Sequence, residues 1–394
     1  MKLRFDDEVE AFRAEFLEWL AANRPPADEI AADPPRSSAY VPQWAATFTK
    51  RMFDDGWLVP GWPPERGGRN AGPIETLVYL EELNKADVPR TTNPQGLGII
   101  APSLLDYGTE EQIEKYAMPL LRGETSACLG MSEPDAGSDL ANLKTRAVRD
   151  GDNFIINGQK VWTSGANYAD FCFLFCRTDP DAPKHKGISI VLMPMDTPGV
   201  TVRPLNEIIS PEFPDLNEVF LDDVVLPVSN LVGELNNGWA MANGSLAHER
   251  SMVWLMGVMG MESSMNELLA VAPSRLAGLS AAEQATAGDA IAGLYIDTLA
   301  SRCLGYRGFA RYVKTGSAPE QALMKMYSTE IRRDLLQVAA ELFGPDSLPT
   351  GQSRHGTVGS LDAYFTTFGG TISAGSSEIQ RNIVAERVLG LPRG

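Results

Sequence analysis

Hydrophobic periodicity changes character twice along the 394 residues, and that double switch constrains the fold more than any single motif. Phe5, Val9, Phe12, Phe16 and Leu20 recur at helical spacing, with Asp6 and Asp7 suited to the first turn of the helix they define. Helical patterning continues over 44–53, 74–83 and 94–105, and Thr109-Glu-Glu-Gln112 has the form of a capping box. From about 126 the pattern turns to β. The stretch 154–162 reads as two β-rich runs joined by Asn157-Gly158, a dipeptide suited to a hairpin turn. Short strands are expected over 171–176, 188–193, 200–202 and 219–226. Beyond Gly238 long helices return, over 239–265, 281–312, 319–342 and 377–389. Runs of helices, then strands, then helices predict an α+β protein rather than alternating βαβ units. The expected domains are an all-α region over 1–125, a β region over 126–235 and a helical region over 236–394.

Charge narrows the possible partners. Lys and Arg number 34 against 51 Asp and Glu, giving a net −17 that argues against nucleic acid and anionic lipid as partners. The longest weakly polar run, 251–261, is far shorter than the ~20 residues needed to span a bilayer, so no membrane span is expected. The N-terminus carries acids where a leader would carry an apolar core, which predicts a cytoplasmic protein. Cys128, Cys172, Cys176 and Cys303 form no disulfide framework. Cys172 and Cys176 lie on the strand face opposite alternating phenylalanines, which reads as core packing. With three histidines in the chain, no metal site is expected.

Gly96-Leu-Gly-Ile-Ile-Ala101 matches a dinucleotide fingerprint, but no strand precedes it and no acid follows at the required distance, so it reads as a helix-packing turn. No phosphate-binding P-loop and no nucleophile elbow occurs. The segment 129–140 gathers small and hydroxyl-bearing residues into a turn that lets backbone N–H groups approach a ligand. Trp162-Thr-Ser-Gly-Ala166 offers an aromatic plane beside two hydroxyls, which suits a flat heterocycle.

Four segments together resemble the acyl-CoA dehydrogenase family of FAD-dependent flavoproteins: Met131-Ser-Glu-Pro-Asp-Ala-Gly-Ser-Asp139, Gly158-Gln-Lys-Val-Trp-Thr-Ser-Gly-Ala166, the stretch 220–233 and the stretch 375–390. The likeness covers nearly the whole chain. It implies an N-terminal helical domain, a central β-barrel-like domain and a C-terminal four-helix bundle. The implied reaction is α,β-desaturation of an acyl-CoA thioester in fatty acid or steroid side-chain β-oxidation, with electrons passed to electron-transferring flavoprotein. A homotetramer, or a heterotetramer with a homologous chain, is the implied assembly. Carried over by position, Leu129, Met131, Ser132, Trp162, Thr163, Ser164, Ser376 and Glu378 are expected at the cofactor. Ser138, Arg250, Ala374 and Gly375 are expected at the substrate.

Such chemistry needs a carboxylate in a dry pocket to take the α-proton. Many members place that glutamate just before the glycine of the last motif, where this chain has Ala374. A minority, including isovaleryl-, long-chain and steroid-side-chain enzymes, places it on the first long helix of the C-terminal bundle, and Glu249 falls there. Glu378 is the rival carboxylate. Two family elements that grip the cofactor of a neighbouring subunit are altered, to Arg275-Leu-Ala-Gly278 and Glu341-Leu-Phe-Gly-Pro345. These changes keep two alternatives open: a non-catalytic or half-site subunit of a heteromeric dehydrogenase, and a flavin monooxygenase or oxidase on the same fold.

Overall fold

The computed structural model describes residues 5–86, 88–316, 318, 320–348 and 358–392, with the side chains of 243–256 and 321 outside the described set. The chain divides into two compact units, Met1–Glu207 with Pro211–Glu249, and Ile208–Ser210 with Arg250–Gly394.

The first unit opens with helices α1 (Asp7–Asn23), α2 (Ala27–Ala32), α3 (Gln43–Asp54), α4 (Pro73–Lys85), α5 (Ala101–Tyr107), α6 (Glu110–Gln112) and α7 (Met118–Leu121). Asp6 caps α1 by accepting from the Val9 N–H at 3.1 Å. The apolar stripe then buries Val9, Phe16 and Leu20, with the Phe16 ring 4.7 Å from Tyr79 and 4.9 Å from Trp57. Thr109 and Gln112 form the expected capping box. The Gly96–Ala101 segment lies within helix, as a π-helical turn, and a Cβ at Gly96 would meet Asn93 Oδ1 at 2.0 Å. It is a packing turn with no strand before it, as the sequence indicates.

Seven strands follow: β1 (Ala127–Gly130), β2 (Arg146–Asp150), β3 (Asn153–Lys160), β4 (Phe171–Arg177), β5 (Ile188–Pro194), β6 (Val200–Pro204) and β7 (Asn217–Pro227). They form one curled sheet in the order β1-β4-β2-β3-β7-β6, with β5 paired antiparallel to β4 off that path. β1 and β4 run parallel, with Leu129 opposite Phe173. Asn157-Gly158 does not turn the chain, contrary to expectation. β3 passes straight through it, and the hairpin is the β2–β3 connection at Gly151, whose φ is 59°. Gly158 sits instead at a bulge against β7, where a Cβ would meet Thr145 Oγ1 at 2.6 Å. Cys172 and Cys176 are buried in the sheet core, where burial pushes the Cys176 thiol up to about 12.

The second unit takes in most of α8 (Gly238–Leu276) and all of α9 (Ala281–Thr315), α10 (Glu320–Phe343), α11 (Leu361–Ile372) and α12 (Ser377–Ile383). Ser280 and Glu283 form a capping box that starts α9, and Gly316, at φ 70°, ends it. Met261, Met265 and Leu268 of α8 share one core with Ile291 and Leu294 of α9, Leu335 and Ala339 of α10, and Ala363 of α11. This is the four-helix bundle. Among the described residues, no helix is long and apolar enough to cross a membrane.

Candidate active site

In the first unit the structure brings six expected residues together on the curled sheet. Leu129, next to the end of β1, lines an apolar pocket with Met131, Ile99, Phe173, Phe175 and Ala242. Met131 and Ser132 continue that strand toward the end of β3. The Val161 N–H donates to the Ser132 carbonyl at 3.0 Å, and Lys160 Nζ donates to the Met131 carbonyl at 3.1 Å. The two motifs, distant in sequence, are thereby stitched edge to edge.

Trp162 leaves β3 with φ 60°, a left-handed conformation that costs an L-residue about 1–2 kcal/mol. Its indole is 61% exposed although its neighbour Thr163 is buried. The turn is held from outside. The Thr163 N–H donates to the Asn217 carbonyl at 3.0 Å, and Asn217 Nδ2 donates to the Thr163 carbonyl at 3.1 Å. The Gly165 N–H donates to the Asp215 carbonyl at 2.7 Å, and Gln95 Nε2 donates to the Ser164 carbonyl at 3.2 Å. Thr163 Oγ1 is buried with no hydrogen-bond partner among the described residues. A buried orphan hydroxyl needs an explanation. Together with a bare indole face it fits a planar ligand carrying hydrogen-bonding atoms, as a flavin ring does.

Beneath this wall lies an ion pair not singled out above. Lys160 Nζ stands 2.8 Å from Glu133 Oε1, and both residues are buried. The Glu133 carboxylate also accepts from the Lys144 N–H at 2.6 Å and the Thr145 N–H at 2.8 Å. Burial works to raise the Glu133 carboxyl, but Lys160 and these donors together bring it below the usual range. Burial pulls the Lys160 ammonium down, with Glu133 opposing. Lys160, Glu133, Asn217, Asp215 and Gln95 escaped the sequence reading, because a buried polar side chain is recognised only by partners far along the chain. Ser138 is exposed at the far end of the 133–139 loop, beside Asp139, which Lys184 approaches at 3.4 Å.

The second unit brings Ala374, Gly375, Ser376 and Glu378 together around one turn and the start of α12. Ala374 has φ 53° and Gly375 φ 89°. Gln380 Nε2 donates to the Ala374 carbonyl at 3.1 Å, and Lys325 Nζ of α10 donates to the Gly375 carbonyl at 2.7 Å. Partial burial pulls the Lys325 ammonium down. Ser376 caps α12 by accepting from the Ile379 N–H at 3.4 Å. Glu378 is exposed, and its carboxyl is lowered by its own backbone N–H and by the Ser376 hydroxyl. Glu249 and Arg250 lie on α8, but their side chains are outside the described residues.

Family models match every part of the chain: the acyl-CoA dehydrogenase N-terminal domain over 6–124, the middle domain over 128–224 and the C-terminal domain over 236–389. The chain belongs to the acyl-CoA dehydrogenase family, oxidoreductases acting on CH–CH bonds. It is 34% identical over 396 residues to acyl-CoA dehydrogenase IpdE1 of Mycobacterium tuberculosis, covering 98% of each chain. Among solved structures it is similar to the Tcur3481-Tcur3483 steroid ACAD, at 31% identity, TM-score 0.81 and 100% coverage of both chains. It is also similar to the ChsE4-ChsE5 complex from Mycobacterium tuberculosis, at 28% identity, TM-score 0.79 and 100% coverage of both.

Proposed function

We propose that the chain is an FAD-dependent acyl-CoA dehydrogenase that desaturates the Cα–Cβ bond of an acyl-CoA thioester. The observation that carries this reading is the wall of Met131–Ser132 and Trp162–Ser164, with its bare indole and orphan Thr163 hydroxyl. Leu129, Met131, Ser132, Trp162, Thr163 and Ser164 would hold the flavin ring, and Ser376 and Glu378 are assigned to the cofactor by their place in the family's last motif. When bound, the flavin supplies the acceptor for the hydride that leaves Cβ. The protein supplies the base, and Glu249 is assigned that role because Ala374 has no ionisable side chain. The Ala374 N–H would hold the thioester oxygen as enolate charge develops, Gly375 and Arg250 would line the substrate, and Ser138 would stand where the CoA tunnel begins. Similarity to a steroid dehydrogenase over the full chain supports a steroid-linked acyl-CoA as the substrate class. Electron-transferring flavoprotein is the proposed acceptor and the cytoplasm the proposed location.

A second reading is favoured by one observation. Arg275, at the position where relatives reach a neighbour's pyrophosphate, is engaged within this chain: Nη1 lies 2.5 Å from Asp346, and its guanidinium lies 4.0 Å from the Phe343 ring centre. A guanidinium already neutralised by a carboxylate is a weak phosphate ligand. This supports a mixed tetramer in which a homologous chain supplies the second half of the cofactor site.

Anaerobic titration of the singly expressed protein with a panel of acyl-CoAs, followed by visible flavin absorption, tests both readings. Bleaching by one thioester class is the expected result for a self-sufficient dehydrogenase. A colourless protein that gains flavin only with a co-expressed homologue supports the shared site. Rapid reoxidation of the reduced flavin by air would replace both with an oxidase.

A further inference from the structure

The Lys160–Glu133 pair is not used by the chemistry proposed above, and stability alone does not account for it. Buried ion pairs are often matched or bettered by apolar residues of similar volume. Lys160 has no solvent exposure and Glu133 only 6%. The position of the pair is specific. Lys160 stands two residues before Trp162, Glu133 follows Ser132 directly, and the bond from Lys160 Nζ to the Met131 carbonyl spans 29 positions. Lys144 and Thr145 hold the carboxylate from the opposite side through their backbone N–H groups, so the ammonium cannot shift without breaking several bonds.

We propose that Lys160 is a positioning residue for the flavin: paired with Glu133, it locks Met131–Ser132 against Trp162–Ser164 before the cofactor arrives. The inference rests on the FAD reading above.

The test uses the double variant Lys160→Met/Glu133→Gln, which removes both charges at similar volume. Its apoprotein is expected to melt cooperatively. Its FAD dissociation constant should rise at least ~10-fold. A folded double variant with wild-type FAD affinity overturns the proposal. If the variant does not fold, amide hydrogen exchange on the wild-type apoprotein decides: protection of 131–133 and 161–164 before FAD is added is the expected result, and free exchange at those amides overturns the proposal. A wild-type protein that takes up no FAD overturns the cofactor reading instead, and the same exchange measurement still reports whether the wall is locked.

Discussion

The turn at Trp162 and the turn at Ala374 each hold a residue other than glycine at positive φ, 60° and 53°, yet they are built in opposite ways. Trp162 is pinned by Asn217, Asp215, Gln95 and the Lys160–Glu133 pair, partners drawn from helix, loop and two strands. Ala374 is held by Gln380, six residues away, and by one lysine of α10. The first turn is a finished wall whose strain is absorbed by a deep polar network. The second is a local cap motif whose side chain can change at little cost to the fold, which explains how a chain can carry alanine there and keep its architecture.

Experiments can break or sharpen that contrast. The largest effect is expected from Glu249→Gln, which should cut turnover by about 10³-fold while FAD and acyl-CoA still bind. Steady-state rates with binding titrations check it, and near-normal turnover would move the base elsewhere, with Glu378 the next carboxylate to test. Asn217→Ala should cost about 2–3 kcal/mol in urea unfolding, because it removes a fully buried amide that donates to the Thr163 and Asp215 carbonyls. A loss under about 1 kcal/mol would mean that the Trp162 wall does not depend on its network. Lys325→Met should be milder, about 1 kcal/mol for a half-buried donor, with acyl-CoA binding weakened several-fold and FAD uptake unchanged. Calorimetric titration separates those two ligands. Smallest of all, Ala374→Gly should shift stability by less than about 1 kcal/mol, toward stabilisation, since relief of the left-handed conformation outweighs the added freedom of the unfolded chain.

Acid unfolding offers a further check on the wall. Glu133 has a folded value below its unfolded one near 4.5, so its contribution is full above that value and is lost as pH falls through the lower, folded value. The wild type should therefore lose stability below pH 4.5 more steeply than Lys160→Met/Glu133→Gln.

How far the sequence foretold this structure depended on where the deciding contacts lie. Long helices with strong spacing and local caps, such as α1 and α9, were readable because their signals sit within a few residues. α11 was not foreseen: Gly369-Gly370 and its threonines weaken the helical signal, and the core around Ala363 overrides it. β1 is only four residues long, and β2 buries one residue of five, so neither shows a usable alternation. Asn157-Gly158 misled because the dipeptide that permits a tight turn equally permits a bulge, and the choice is made by Thr145 and β7. At the candidate site, the motifs proposed to face the ligand are visible as local strings. Their supports were not, since Lys160 acquires its meaning only from Glu133 across the fold.

The parallel pairing of β1 with β4 also bears on how the protein folds. The Ser126 N–H meets the Asp170 carboxylate across 44 positions, and no tight turn can bring parallel strands together. Closing such a loop costs chain entropy before the pairing repays it, whereas the β2–β3 hairpin forms from neighbours. The hairpin is therefore expected to nucleate early and the β1 edge to dock late. On this ordering, substitutions at Ala127 or Cys128 would chiefly accelerate unfolding, while substitutions at Ala147 or Ile156 would slow refolding.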